Sequence, residues 1–250
     1  MKRLGFKRWA YVLLAMFLAS ASLWALDLRL TLNEGEGGSD PGDVAETVEI
    51  LFVLTFIGLV PSILILMTSF TRIIIVLGFL RRALGLQTMP PDQVLVGMTL
   101  FLSLFIMWPT FERMYQEAYV PYKAQDGTDI DFQKRFLAPL RDFMFEQTRK
   151  SDLQVMLDLA KVSDAKTRGD VPTQVLIPAF VISELTRAFE IGFYIYLPFF
   201  LVDMVVAAVL MSMGMMMLPP VMISLPFKIL LFVLVDGWAL LVVNLVAGFA

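Results

Sequence analysis

Long apolar runs separated by polar stretches dominate the pattern of this chain. Residues 50–71 and 93–111 carry no charged side chain, and each run is long enough to cross a hydrocarbon core about 30 Å thick. They predict a first pair of apolar helices within residues 48–111. The C-terminal part, 172–250, is again almost wholly apolar, with Pro178 suited to starting a helix. The pattern predicts an all-α membrane protein with four apolar helical segments.

Residues 112–171 interrupt this pattern. They hold 21 of the chain's 43 charged residues, so this stretch must meet water. Apolar residues recur in it at helical spacing, and Pro139 is suited to opening a helix. We expect two or three amphipathic helices outside the membrane. They could form a contact surface for partner subunits, or a solvated insert that packs only on its own chain.

The N-terminal residues resemble an export signal. Four basic residues within the first eight precede a short apolar stretch and then Ala19-Ser20-Ala21, which predicts a signal peptide over 1–21, or over 1–25 if cleavage follows Ala25. An uncleaved anchor helix is the alternative. Residues 22–47 read as an acidic flexible linker. Arginines after the first apolar run place that end in the cytoplasm, which agrees with an exported N-terminus.

The C-terminal apolar part contains a methionine-rich bend. Seven of the chain's sixteen methionines lie within 204–222. Gly214 gives the backbone freedom there, and Pro219 and Pro220 stop a helix because neither donates a backbone hydrogen bond. Methionine repacks easily around different shapes, so the cluster is either packing inside a membrane bundle or a deformable pore seal. The candidate seal residues are Met211, Met213, Met215, Met216 and Met217.

Few charges lie in the C-terminal apolar part, and such charges are usually paired or face an aqueous path. Glu184 and Lys228 fall on different predicted helices and form the candidate ion pair. Pairing of Glu184 with Arg187, one helical turn further on, is the local alternative.

Composition excludes several classes of function. The chain has no cysteine and no histidine, which removes disulfides and the commonest metal ligands and general base. No Gly-Lys dipeptide and no Gly-x-Ser-x-Gly motif occurs. We therefore expect no catalytic residue, no metal and no cofactor, and predict that the protein is not an enzyme. A net charge of −3 gives no reason to expect a nucleic-acid partner.

Several motifs resemble the signature of the FliP family, flagellar biosynthetic proteins of the type III export gate. The resemblance covers roughly residues 48–250. The motifs that carry it are residues 67–77, 182–185, 189–193, 210–220, 223–228 and 235–238.

This resemblance implies kinked helical hairpins assembled in a homo-oligomeric ring, pentameric in the family. It implies FliQ and FliR as fellow gate subunits, export components of the FlhA and FlhB families, and contact with membrane lipid. The ring would pass unfolded flagellar proteins across the bacterial inner membrane at the flagellar basal body. Matching Glu and Lys positions in the family are consistent with contact of Glu184 and Lys228 between neighbouring subunits. The alternatives are the injectisome homologue, a purely structural scaffold and a small-solute channel.

Overall fold

The structure is a computed structural model. It describes residues 51–249 apart from 53, 56, 57, 60, 61, 64, 125–128, 163, 164, 166 and 216. The predicted signal peptide over 1–21 and the predicted linker over 22–47 lie outside the described residues, as does Met216.

Helices supply all the regular secondary structure of the described residues, which confirms the all-α prediction. A π-helix, Tyr115–Tyr119, joins the second α-helix to the third. The α-helices are α1 (Phe70–Ala83), α2 (Asp92–Met114), α3 (Val120–Lys123), α4 (Asp129–Gln147), α5 (Lys150–Leu159), α6 (Thr173–Ser212), α7 (Pro220–Leu234) and α8 (Gly237–Ala247).

The first predicted apolar segment, residues 50–71, is not one helix. Helical residues end at Leu66, a turn occupies Met67–Ser69, and α1 begins at Phe70. The Thr68 hydroxyl accepts a hydrogen bond from the Phe70 amide at 3.3 Å, and the buried Ser69 hydroxyl donates to Ser103 of α2 at 3.1 Å. Side-chain hydrogen bonds of this kind offer the backbone an alternative to continuing the helix. The apolar run 50–71 therefore contains a turn and the start of α1 rather than one continuous helix.

Two helices in the described part of the chain are long and apolar enough to cross a membrane. One runs without a break from Asp92 to Lys123, and the other is the 40-residue α6. Helices α7 and α8, bent by 63° at their junction, make a third if they are counted as one broken span. At 1.5 Å per residue, α6 is about 60 Å long, about twice the thickness of a hydrocarbon core.

Five prolines lie inside helices of the described residues: Pro109, Pro139, Pro178, Pro198 and Pro226. Helix α6 begins at Thr173 rather than at Pro178, and it continues through Pro198. Pro139 lies inside α4 and does not open it. The predictions of helix starts at Pro178 and Pro139 were wrong. A proline removes one backbone donor, and packing along the rest of a helix can keep the helix continuous.

Helix α6 is the element with the most packing partners, because α1, α4, α5 and α7 all contact it. One apolar cluster lies around α1, where Ile73, Val76 and Leu77 are fully buried. A second cluster joins α4 and α5 to the N-terminal half of α6, with Met144 and Phe180 at its centre. The charged insert predicted at 112–171 thus packs on its own chain along one face.

Helices α1 and α6 approach each other closely at Gly192. A Cβ atom placed at this position would lie 2.6 Å from carbons of the Phe79 ring. Only glycine allows this ring to lie against the backbone of α6. The same approach orders the Phe79 ring, which makes an edge-to-face contact with Phe189 at a centroid distance of 5.2 Å.

Candidate functional site

Helix α6 ends in a tight turn that we call the Met-rich turn, residues 211–219. Gly214 has a φ of +76°, a conformation that glycine adopts without steric cost. The Met215 amide donates to the Leu210 carbonyl at 3.0 Å, and the Gly214 amide donates to the Met211 carbonyl at 3.0 Å. These two bonds form a Schellman motif, which satisfies carbonyls that the helix end would leave unpaired. Gly214 thus supplies the left-handed backbone conformation at which α6 ends.

The two prolines of the turn have a different role from the predicted one. Helix α6 ends at Ser212, before either proline is reached. Pro219 is the N-cap of α7, and Pro220 is its first residue. Proline suits the first turn of a helix because the amide that it lacks would have no partner within the helix. Pro219 and Pro220 therefore start the second helix of the hairpin instead of stopping the first.

The four described methionines of the Met-rich turn are exposed on their own chain. Met217 is 98% exposed, and Met215, the least exposed of the described four, is 43% exposed. Met211 and Met213 are about as exposed as each other, at 59% and 61%. A Cβ atom at Gly214 would meet no atom within 4 Å. These four methionines are thus not packed inside their own chain, so whatever covers them comes from outside it.

Below the turn, a polar cluster links α6 and α7. The Lys228 ammonium donates to Asp203 Oδ2 at 2.7 Å and to the Ala83 carbonyl at 3.1 Å. The Ser224 hydroxyl donates to the other carboxylate oxygen of Asp203. Ser224 and Lys228 are buried, while the Asp203 side chain keeps 19% of its exposure. The cluster joins α6, α7 and the last turn of α1.

Glu184 lies in a second buried network, in the N-terminal half of α6. Its carboxylate accepts two hydrogen bonds from the Arg72 guanidinium, one of them from Nε at 2.9 Å. Arg72 also donates to Gln147 Oε1 and to the Gly248 carbonyl, both at 3.0 Å. The Phe249 ring stacks on the same guanidinium, with its centroid 3.7 Å from Cζ. This fork geometry suits a buried pair, because arginine can donate to several acceptors at once.

The predicted pair of Glu184 with Lys228 does not form within the chain. Glu184 pairs with Arg72, and Lys228 pairs with Asp203. The local alternative does not form either, since Arg187 donates to Gln147 Oε1 at 2.8 Å. Contact between Glu184 and Lys228 of neighbouring subunits stays a prediction. It would require two buried side chains to leave the partners that neutralise them.

A third charged group anchors α5 to α6. Buried Asp152 accepts hydrogen bonds from Arg149 at 2.8 and 3.0 Å and from the Ser183 hydroxyl at 2.6 Å. The Ser183 hydroxyl in turn accepts a hydrogen bond from the Arg149 amide at 3.0 Å. Hydrogen bonds, chiefly those from Arg149, lower the pKa of Asp152 to about 2. The carboxylate therefore stays charged throughout the physiological range.

Sequence reasoning missed Arg72 and Asp203 as ion-pair partners. In the sequence, Arg72 directly follows a long uncharged run, and this position indicates the orientation of the chain without indicating a partner. Asp203 was one of the few acids in the C-terminal part, and its place on α6 was a usable signal. Among the described residues, no three carboxylates lie close enough together to hold a metal ion.

Comparison with known proteins agrees with the motifs. The model of the FliP family matches residues 53–245. The flagellar biosynthetic protein FliP of Bacillus subtilis (strain 168) is 53% identical over 211 residues, which are 84% of this chain and 96% of the relative. Its counterpart in Treponema pallidum (strain Nichols) is 54% identical over 212 residues, which are 83% of this chain and 77% of the relative.

A third relative covers nearly the whole chain. The flagellar biosynthetic protein FliP of Pectobacterium carotovorum subsp. carotovorum is 52% identical over 245 residues, 97% of this chain and 93% of the relative. Identity at this level over most of both chains, together with the family match, shows the family. The chain belongs to the FliP family of flagellar biosynthesis proteins.

Proposed function

We propose that this protein is a core channel-forming component of the flagellar type III export gate. Several copies, five by resemblance to the family, assemble in a ring that passes unfolded flagellar proteins across the inner membrane. The observation that carries this proposal is the Met-rich turn, which presents uncovered thioethers at the end of a 40-residue apolar helix.

The geometry supports a seal. Four described methionines of the turn are exposed by 43% to 98%, and such apolar surface needs lipid or protein to cover it. In a ring, equivalent turns from neighbouring subunits meet and cover one another. Thioethers adapt to partners of different shape, so the same surface can close on itself or around a passing chain. The Schellman motif at Gly214 fixes the backbone where α6 ends.

The remaining exposed apolar surface suits membrane lipid and fellow subunits. The helices long enough to span a membrane are largely exposed along their apolar lengths, as expected where the solvent is lipid or another apolar chain. We assign FliQ and FliR as the gate subunits, and export components of the FlhA and FlhB families as further partners. The location is the inner membrane at the flagellar basal body, where the protein is multi-pass.

The named relatives favour the flagellar role over the injectisome, because all three are flagellar biosynthetic proteins. A purely structural scaffold and a small-solute channel are the rivals in mechanism. We expect no chemistry and no cofactor, so the energy for export comes from other components.

Cysteine cross-linking tests whether the turns meet. The chain contains no cysteine, so Met217→Cys places a single thiol in each copy. Oxidation of the purified oligomer should give covalent dimers through residue 217. The matched control is Leu159→Cys on α5, which is also well exposed, at 71%, and should stay monomeric. Dimers in the control but not at 217 would overturn the proposed position of the turn.

A leak assay separates a seal from a scaffold. Replacing Met213, Met215, Met216 and Met217 together by Ala removes bulk, so liposomes holding the oligomer should release a trapped small dye faster. Leu at the same four positions keeps the bulk and should leave the release rate near that of the parent. If the Ala variant assembles normally and releases no dye, the scaffold role is correct. Release by the parent itself would favour a small-solute channel.

A further inference from the structure

Helix α7 is attached to the rest of the chain by a narrow stripe. The residues that it buries are Ser224, Lys228 and Phe232, one on each successive turn. Two of the three are polar, although α7 is otherwise an apolar helix. The attachment of α7 therefore depends on polar contacts to a degree unusual for such a sequence.

The acceptors of these polar contacts are the Asp203 carboxylate and the Ala83 carbonyl. Ser224 donates to one carboxylate oxygen of Asp203, and Lys228 donates to the other at 2.7 Å. Both oxygens of Asp203 thus hold α7. The third contact is that of Lys228 with the Ala83 carbonyl, at 3.1 Å, near the C-terminal end of α1. A cation is favoured there because helix dipoles leave negative partial charge at that end.

Beyond this cluster, the hairpin receives little support from the chain. Of the described residues between 204 and 223, only Leu210 is buried. Asp203 lies ten residues before Met213, or about 15 Å along α6. Ser224 lies five residues after Pro219, about 8 Å along α7. The position of the Met-rich turn is therefore set from its base rather than by packing around its tip.

We propose that Asp203, Ser224 and Lys228 form a latch that holds the α6–α7 hairpin on the end of α1 and so positions the Met-rich turn. Charge-assisted hydrogen bonds are short and roughly twice as strong as neutral ones, so the contacts of Lys228 fix the position of α7 relative to Asp203 and the Ala83 carbonyl. Breaking the latch removes the charged contacts of α7 with α6 and with the end of α1 together, and leaves Phe232 as the buried contact of α7. The idea that the latch controls a seal rests on the proposed function. The idea that the latch fixes the hairpin is independent of it.

The test measures the position of the turn directly. Cysteines replace Gln87, which is exposed shortly after α1, and Met217 in the otherwise cysteine-free chain. Both carry spin labels, and labelled chains are diluted with unlabelled ones so that most oligomers contain one labelled copy. Pulsed electron spin resonance on reconstituted oligomers then gives the distribution of the distance between the labels.

Two variants break the ion pair, and one matched variant leaves it intact. Asp203→Asn and Lys228→Met should each widen the distance distribution at least twofold. Glu190→Gln makes the same acid-to-amide change on the same helix, at a side chain that is 59% exposed, and should not widen it. An unchanged width in both latch variants would overturn the proposal. If neither assembles, Ser224→Ala decides, because it keeps both charges and should still widen the distribution.

Dye release from the same liposomes, with unlabelled protein, separates the latch from the proposed seal. A wider distribution with faster dye release supports both. A wider distribution without release, where the methionine-to-alanine variant also releases no dye, keeps the latch and overturns the seal. An unchanged width, with release still caused by the methionine-to-alanine variant, overturns the latch and keeps the seal.

Discussion

The two halves of α6 have similar secondary structure and opposite surroundings. In residues 173–192, Leu176, Ala179, Phe180 and Ala188 are fully buried against α1, α4 and α5. In residues 193–212, Phe199 and Leu210 are the buried residues, and large apolar side chains are exposed along the rest. The half with fewer charges is thus the half that its own chain leaves uncovered. Apolar composition predicts that a surface must be covered. It does not distinguish cover by the same chain from cover by lipid or by another subunit.

The charges of the two halves differ in the same way. Glu184, in the covered half, is fully buried with Arg72 in a network that reaches Gln147 and Gly248. Asp203, in the uncovered half, keeps part of its exposure while it holds α7. The first network joins segments that already pack together. The second is the principal polar link between elements that otherwise share few buried residues.

Exchanging Glu184 and Lys228 tests the assignment of partners and should have the largest effect. Glu184→Lys puts a cation beside Arg72, and Lys228→Glu puts an anion beside Asp203 and the Ala83 carbonyl. Losing one partner of a buried pair costs about 3–5 kcal/mol, and two such losses approach the whole stability of a domain. We expect neither single change nor the double exchange to give oligomers on native gels.

Recovery of oligomers in the double exchange would contradict this expectation. It would show that Glu184 and Lys228 meet between subunits and that their partners within the chain are replaced on assembly. Native gels of detergent extracts, with membrane levels of each chain as the control for folding, distinguish the two outcomes.

Removing Arg72 alone should destabilise the covered half. Arg72→Met leaves the Glu184 carboxylate buried without a cation, at a cost of about 3–5 kcal/mol. Arg72→Met combined with Glu184→Met should recover most of the loss, since apolar replacements of a buried pair are often neutral. The measurement is the midpoint of thermal unfolding in detergent.

The matched control for Arg72 is an exposed pair. Arg113→Met removes a partner of Asp142, and both side chains are about half exposed. We expect a change of about 0–1 kcal/mol. Equal shifts of the unfolding midpoint for Arg72→Met and Arg113→Met would show that the buried network stabilises the fold no more than an exposed ion pair does.

Gly192→Ala tests the close approach within the covered half. The added methyl group would lie 2.6 Å from the Phe79 ring, so the ring or the helix must move, at about 1–3 kcal/mol. Gly97→Ala, in α2, adds the same group where no atom lies within 4 Å. That control should gain up to about 1 kcal/mol from helix propensity. Thermal midpoints that move in the same direction for both would contradict the packing argument.

Asp152 gives the smallest effect and a dependence on pH. Its pKa is about 2 when folded, against 3.8 as the ordinary value. The lowered pKa stabilises the fold above the ordinary value by about 2 kcal/mol, and this contribution is lost as pH falls through about 2. Unfolding midpoints compared at pH 5 and pH 2 should show a smaller drop for Asp152→Asn than for the parent. An equal drop would show that Asp152 does not couple to folding.

The sequence predicts helices well here because long uncharged runs and helical spacing report on local structure. It does not predict where they end: Thr68 and Ser69 interrupt an apolar run by hydrogen bonding, while Pro198 fails to interrupt one. Backbone preferences give the free-energy penalty of placing each residue in a helix. Tertiary packing determines whether the helix forms in spite of that penalty.

Partner choice is the part of the site that sequence does not predict. The apolar surroundings of Glu184 and Lys228 in the sequence favour pairing between them, yet the partner of Glu184 is Arg72, 112 residues away along the chain. The sequence limits the possible partners of Glu184 to basic residues. The packing of α1 on α6 determines which basic residue pairs with it. The Met-rich turn was predictable by contrast, because Gly214 and the flanking prolines act on their own backbone.

Pro198, which lies inside α6, has a mechanical consequence. It has no amide hydrogen to donate to the carbonyl four residues earlier, that of Tyr194, so one rung of the helix ladder is missing there. Bending stiffness is lowest at such a gap, which lies close to the boundary between the covered and uncovered halves. A force applied to the far end of α6 is therefore absorbed as flexure at this level, before it reaches the Glu184–Arg72 network. The N-terminal half of α6 is thus held rigidly by packing, and the C-terminal half can bend relative to it at Pro198.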